Sequence, residues 1–423
     1  MTSNSAFDLV QAAEALLKDA KSIAGHDDES DLNDVSTRKR IAETCRRIAF
    51  QTAPKVDVIK TEWTVLADVA ACNLFIAWSA FDYIPLNGSI TFAELADALD
   101  ADKSLIARIC ALLLSTHTLS PGPTPNSVSH SRISPLYRSS SPVAALASVA
   151  VGNGMKPYAH WPEYFSTYGR REPSHGQTHT PFSYAWGHPE LPPWEVKALF
   201  PEYSVQFTRA MKAREMIGGD VKLVGQEALY DFTWVGKEEE IGDEREVKVV
   251  DVGGGLGQLL RDLVKTVEGL EGEKCVLQDR KEVIEEAEKE RERDGEGEGG
   301  MLKGVRMMEH DFHEVQPVKG ALVYILRRIL LDYSDDLAVH ILRRLAQAMP
   351  KDDPKARVII IEERLLEEPV AQNRIVDLVM LNLGGKLRDE KMYQALAKAA
   401  GLKVVKYHAR KGDAVSVVEC ARA

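Results

Sequence analysis

Apolar and polar positions change their rhythm several times along the chain. Up to about Lys60 the pattern reads as helices, interrupted by a polar, acidic segment, Gly25 to Asp34, that predicts a flexible connection. From Asp68 an apolar helix is predicted through Trp78 and Phe81, closed by a turn at Pro85-Leu86-Asn87-Gly88. Thr91, with Glu94 three residues on, carries the signature of a capping box for a short helix. Ser104 opens a second helix, with Leu105, Ile109 and Leu112 on one face. Residues 121–215 are only weakly helical in pattern and rich in Pro, Ser, His, Tyr and Trp. Their aromatics concentrate in Met155 to Phe165 and Thr180 to Trp194, a composition that suits either a cavity for a large apolar ligand or plain interdomain core.

After Arg245 short apolar runs alternate with helical stretches. Val247 to Asp251, Lys274 to Asp279, Ala321 to Leu326 and Arg357 to Ile361 read as strands, with a helix from near Gln258 and a long one ending near Met349. Such alternation predicts a parallel sheet covered by helices on both faces, the doubly wound α/β arrangement. Glu285 to Gly300, almost wholly charged residues and glycine, reads as a helix end running into a solvated insertion without chemistry.

The chain has 423 residues, 44% of them hydrophobic, which fits a globular protein of two or three domains. Its longest apolar runs, such as Val358 to Ile361, are strand-sized, so neither a membrane span nor a signal peptide is expected. Five scattered cysteines (Cys45, Cys72, Cys110, Cys275, Cys420) offer no metal or disulfide spacing, and a reducing, cytoplasmic setting follows as the default. A net charge of −11 disfavours nucleic acid and anionic membrane surfaces, leaving a small molecule as the expected partner. The two short helices beyond Thr91 look like a winged helix; the acidic balance favours dimerisation and pocket lining over DNA reading for that motif.

The candidate cofactor motif is Val249-Val250-Asp251-Val252-Gly253-Gly254-Gly255-Leu256-Gly257, a glycine turn between a buried strand and a helix start. Glycines there let backbone approach a ligand, and the helix N-terminus offers unpaired N–H groups. A dinucleotide fingerprint would need a glycine where Gln258 stands. Asp251 beside the turn suits a ligand carrying an ammonium group better than a pyrophosphate. Asp279 ends the next strand, where a carboxylate can accept from both ribose hydroxyls. His310-Asp311-Phe312 follows another strand, with an acid and a ring suited to adenine.

Together these residues resemble the S-adenosylmethionine-dependent O-methyltransferases of the caffeate type, in the form common in fungal secondary metabolism. The likeness runs from about Asp68 to the C-terminus. It includes Val276-Leu277-Gln278-Asp279, Asp311-Phe312 through Gln316-Pro317, Tyr324 to Asp336, Thr180-Pro181-Phe182 with Phe207 and Met211, and Gly384-Gly385-Lys386-Leu387-Arg388. The resemblance implies an α/β fold: a Rossmann-like methyltransferase domain at 216–423, a helical substrate-pocket segment at 121–215, and a helical, winged-helix dimerisation domain at 1–120. It implies a homodimer and S-adenosyl-L-methionine as cofactor. The cofactor contacts would be Asp251, Gly253, Gly254, Gly255, Asp279, Asp311, Phe312 and Arg327, with Phe207 and Met211 in the substrate pocket. No metal site is expected.

One departure changes the expected chemistry. Where the family keeps the histidine that takes the substrate proton, this chain has Leu331, which holds no titratable atom. Of the carboxylates that orient that histidine, one matches Glu363, and Leu387 stands in place of the other. Leu331 and Leu387 together predict an apolar pocket floor no longer built for ordinary O-methylation. Relatives of this fold include pericyclases of the leporin type, which keep the cofactor and fold a polyene by shape and a few hydrogen bonds. His130 matches a substrate-binding histidine of such pericyclases, although true methyltransferases of the fungal group also carry one there. Asp332 either orients a donor or substrate, or holds a helix start. The leading expectation is therefore a pericyclase acting on a polyketide or polyketide–amino acid hybrid, with His130, Asp332 and Glu363 catalytic. The alternative is an O-methyltransferase for an acidic phenol or enol that needs no base, and a third reading is a degenerate enzyme acting as a binding protein. His160, His175, His179 and His188 are too irregularly spaced for a metal site.

Overall fold

The protein is described by a computed structural model at residues 8–24, 32–173, 176–217, 223–225, 227–237, 245–293, 302–368 and 370–423. It divides into two compact units, Met1–Ser140 and Ser141–Ala423. The first boundary lies beyond the sequence division at 120, because strands on both sides of that point pair. β1 (Ile90–Thr91) and β2 (Leu119–Pro121) both bond to β3 (Ser127–His130) in one three-stranded antiparallel sheet. The aromatic segment belongs with the second unit, so the division at 215 does not separate compact bodies.

In the first unit, helices Leu9–Ile23, Leu32–Thr52 and Lys55–Ala77 precede the sheet. Residues 32–34 of the predicted connection are thus helical, and 25–31 lie outside the described residues. The apolar helix breaks before Phe81: Ser79 adopts φ +54°, and a short helix, Ala80–Tyr83, follows. Thr91 and Glu94 do form a reciprocal capping box for Phe92–Ala98. The next helix, Lys103–Ser115, is capped by Asp102 through the Leu105 amide rather than opened by Ser104. Its buried face is Ile106, Cys110 and Leu113, one position on from the Leu105 stripe, which is exposed at Leu105.

The second unit begins with helix Pro142–Ala150 and a π-helical turn, Val151–Met155. Short helices follow, among them Trp161–Tyr168, Pro181–Ala185 and Pro193–Ala198, then the longer Pro201–Ile217. The sheet consists of β4 (Val249–Val252), β5 (Cys275–Asp279), β6 (Arg306–Glu309), β7 (Val323–Arg327), β8 (Arg357–Glu363), β9 (Leu402–His408) and β10 (Val415–Arg422). Their spatial order is β6-β5-β4-β7-β8-β10-β9, with only β10 antiparallel to its neighbours. Chain progression reverses at β4, so the carboxyl ends of β4, β5, β6, β7 and β8 border one crevice, the place where open α/β sheets bind ligands. Two buried apolar clusters, one containing Val250, Tyr324 and Val358 and the other Val249, Ile325 and Ile359, cover the two sheet faces. The charged insertion begins as helix Lys281–Arg293, and residues 294–301 lie outside the described residues.

Candidate functional site

Behind β4 the backbone turns sharply, with Gly253, Gly255 and Gly257 at φ +69°, +62° and +79°, and helix Gln258–Thr266 starts directly after. A Cβ at Gly254 would sit 2.5 Å from the Asp251 carboxylate, so only glycine leaves that carboxylate room. Asp251 is 1% exposed, and neither of its oxygens has a hydrogen-bond partner among the described residues. Burial raises its pKa from 3.8 to about 7; Arg327 works against that rise and Asp279 adds to it. A buried acid without a donor is costly. The observation fits a ligand that brings its own cation or N–H groups into the glycine turn.

Asp279, at the end of β5, is aimed by two backbone donors, Gly255 N at 2.9 Å and Arg280 N at 2.8 Å. Burial nevertheless raises its pKa. The Phe312 ring lies 3.5 Å from where a Gly253 Cβ would be and meets Tyr333 edge-on at 5.8 Å between centroids. Asp311 accepts from the His313 amide at 2.9 Å. Asp251, the glycines, Asp279, Asp311, Phe312 and Arg327 are therefore brought together along the crevice by the strand ends that carry them.

The segment following β7 is held from beneath. Glu362 accepts from the amides of Ile329 at 2.9 Å and Leu330 at 2.6 Å, and Tyr393 Oη donates to its other oxygen at 3.2 Å. Burial raises the Glu362 pKa to about 7, against the charge of Arg388 and the two amides. Arg388, wholly buried, donates to Leu330 O and Tyr333 O, each at 2.7 Å, and to Asp335 Oδ1 at 2.9 Å. Leu331 O accepts from Lys386 N at 3.0 Å, and a Cβ at Gly385 would lie 2.0 Å from that oxygen. The backbone at Leu330, Leu331 and Tyr333 is thus tied down.

These contacts revise the expectation for Glu363. The carboxylate under the Leu331 segment is Glu362; side chains alternate along β8, so Glu363 belongs to the opposite face, and both acids border a small recess with Arg327 and Arg328. Leu331 and Leu387 share one buried apolar cluster with Phe182, Val196, Met380 and Leu383. Phe207 and Met211 pack in an adjoining cluster with Ala145, Val149 and Ala210, and Tyr203 borders both. Asp332 lies in the short turn Leu330–Asp332, ahead of Ser334, which holds the N-cap position of helix Asp335–Ala348.

His130 belongs to the first unit, and both its ring nitrogens are engaged there: Nδ1 with Ser134 Oγ at 2.8 Å and Nε2 with Ile84 O at 3.1 Å. Burial lowers its pKa. Of the other histidines, His179 pairs with Glu190 at 3.0 Å, His160 meets the Tyr184 ring, His188 meets Phe200, and His175 lies outside the described residues. Among the described residues no group of three or more His, Cys, Asp or Glu side chains is placed to hold a metal ion.

One residue of this region carries no sequence expectation. Lys197, in helix Pro193–Ala198, is 4% exposed, and its Nζ has no hydrogen-bond partner among the described residues. Three rings surround the amine, with centroids of Trp194 at 3.9 Å, Phe207 at 4.0 Å and Phe182 at 5.4 Å. Burial drives its pKa down to about 7, with the Asp332 carboxylate opposing and Arg280 reinforcing the shift. A sequence signal exists in retrospect: Trp194 lies one helical turn before Lys197.

A glycine turn after β4, an acid at the end of β5 and a doubly wound sheet define a nucleoside-cofactor enzyme of Rossmann-like methyltransferase fold. The chain belongs to the O-methyltransferase domain family, whose pattern it matches over residues 171–403, and its cofactor is S-adenosylmethionine. It is 36% identical over 397 residues to Methyltransferase cfoD of Aspergillus candidus, covering 92% of this chain and 94% of that protein. Methyltransferase pynC of Aspergillus niger is 34% identical over 369 residues, covering 86% and 97% respectively. Among solved structures, OxaC in complex with sinefungin and meleagrin superposes with TM-score 0.82 at 18% identity, over 98% of this chain and 99% of that one. LepI in complex with S-adenosylmethionine gives TM-score 0.74 at 20% identity, over 98% and 99%. Identities at that level establish the fold alone.

Proposed function

We propose that this protein is a methyltransferase that carries the methyl group of S-adenosylmethionine to a heteroatom of a small, weakly acidic secondary metabolite, as a cytoplasmic homodimer joined through its N-terminal helices. The carrying observation is the buried Asp251 carboxylate, left without a donor beside the glycine turn. The cofactor, when bound, supplies an electrophilic methyl group on a sulfonium. Asp251 would answer its ammonium group, Asp279 its ribose hydroxyls, and Asp311 and Phe312 its adenine, with Gly253, Gly254 and Gly255 allowing close approach and Arg327 favouring the charged form of Asp251. Relatives at 36% and 34% identity bear the name methyltransferase, which favours group transfer over the pericyclic reading.

Leu331 supplies no base, so the acceptor arrives ionised or loses its proton to another group. This reading gives His130 no catalytic part, since Ser134 and Ile84 occupy its ring nitrogens. Glu362 and Arg388 set the backbone of the pocket floor, while Phe207, Met211, Leu331 and Leu387 shape it. The pericyclase reading keeps one observation of its own, the joint burial of Leu331 and Leu387 in a cluster suited to a hydrocarbon chain. Incubation with S-adenosylmethionine and phenolic or enolic acceptors separates the two. S-adenosylhomocysteine formed in step with methylated product is the expected result; isomerisation of a polyene with no S-adenosylhomocysteine would replace methyl transfer by the pericyclic reading.

A further inference from the structure

We propose that Lys197 is the proton acceptor of the acceptor pocket and that the pocket is built for a flat, weakly acidic O–H or N–H compound. The inference rests on the methyl-transfer reading and supplies the base that Leu331 cannot be.

Three observations carry it. The Nζ of Lys197 is buried and has no hydrogen-bond partner among the described residues, so its donor and acceptor capacity is unspent. Its immediate surroundings are the rings of Trp194, Phe207 and Phe182, which stabilise the ammonium formed when the amine takes a proton and offer aromatic walls to a planar acceptor. Lastly, the charges that reach it come from the cofactor side of the crevice: Asp332, next to Leu331, and Arg280, next to Asp279.

Burial keeps the amine partly neutral near physiological pH, the state in which it has a lone pair to offer. The proton balance is simple. The acceptor's O–H or N–H bond breaks, the proton joins the Nζ lone pair to give an ammonium, and the electron pair stays on the acceptor atom as the nucleophile. Asp332 then faces the ammonium and stabilises the ion pair, and the proton returns to solvent when product leaves. Arginine at this position would hold the anion but could not take the proton.

The test uses the full protein with 4-cyanophenol, whose anion absorbs at longer wavelength than the neutral phenol. At a pH below the phenol's own pKa, the wild type is expected to bind it with the anion spectrum, and Lys197→Met to lose that band. Lys197→Arg is expected to keep the band but to release one full proton to buffer on binding, measured by calorimetry in two buffers of different ionisation enthalpy, where the wild type releases only the fraction of a proton that Lys197 already carries in the unbound protein. In protein carrying 13C at the lysine ε-carbon, the signal missing from Lys197→Arg should titrate in the neutral range, far below the other lysines. A neutral-phenol spectrum, no binding by the wild type, or identical proton release in wild type and Lys197→Arg overturns the proposal. So does a Lys197 signal that titrates with the surface lysines. Absence of S-adenosylhomocysteine under turnover would instead sink the methyl-transfer reading while leaving this signature intact.

Discussion

Asp251 makes cofactor binding a proton-linked event. Burial pushes its carboxyl up to about 7, against 3.8 for an ordinary aspartate. The difference, 7 − 3.8, is roughly three pH units, so holding the charge without a partner costs about 4 kcal/mol at about 1.4 kcal/mol per unit. Below pH 7 the free protein carries a proton there that a bound ammonium group would expel. Affinity for S-adenosylmethionine should therefore climb with pH up to about 7, at most about tenfold per unit, and level off above it. Stability runs the other way. A carboxyl whose folded pKa is raised stabilises the fold fully below its unfolded pKa, and that contribution fades as pH rises from about 4 through about 7. The free protein should thus lose part of its stability across that window, and saturating cofactor should flatten the slope. Asp251→Asn removes its share of the titration: the slope becomes shallower, with Glu362 and Asp279 still contributing, and affinity at pH 8 falls on the order of tenfold to a hundredfold, the worth of one buried charge-assisted hydrogen bond. Calorimetry in two buffers reads proton release directly, and thermal melts across the window read stability. Affinity that is flat between pH 5.5 and 8 in the wild type, with no proton released, refutes the argument.

Three further outcomes follow from the pocket floor. Arg388→Met leaves the Leu330 and Tyr333 carbonyls without their donor and should cost about 3 kcal/mol in urea unfolding; a loss under about 0.5 kcal/mol would mean these bonds hold nothing. Gly385→Ala puts a carbon 2.0 Å from Leu331 O, and the displaced backbone should cost about 2 kcal/mol and broaden NMR signals around Leu331; an unchanged midpoint would contradict the close approach. Leu331→His places an imidazole among Phe182, Val196, Met380 and Leu383, with Leu387 rather than an acid opposite, so destabilisation of about 2–4 kcal/mol without faster turnover is expected. A faster enzyme would show that the site still accepts an imidazole base.

The sequence made the cofactor crevice legible because its markers sit at or just past strand ends: Asp251 and Asp279 each follow an apolar run, Phe312 comes three residues after β6, and the glycines can be read without a partner. Glu362 and Glu363 were harder to separate. β8 is buried on both faces from Val358 to Glu362, so no alternation marks which of the two acids points at the Leu331 segment. The buried stripe on Lys103–Ser115 lies one residue beyond the Leu105 stripe because it includes Cys110, a small buried apolar side chain. Lys197 was invisible for another reason. Trp194 lies close in sequence, but Phe207 and Phe182 come from other helices, and a single lysine in a short helix otherwise reads as solvent-facing. The division at Ser140 depends on β3 returning to pair with β1, a long-range event that local pattern does not record.

Arg388 and Glu362 grip residues 329–333 through main-chain oxygens and amides, never through the side chain at position 331. Whatever residue occupies position 331 inherits the same scaffold. Exchange of imidazole for an alkyl group, or the reverse, leaves those main-chain anchors in place, so the kind of reaction this crevice supports is free to drift in evolution while the architecture around it stays put.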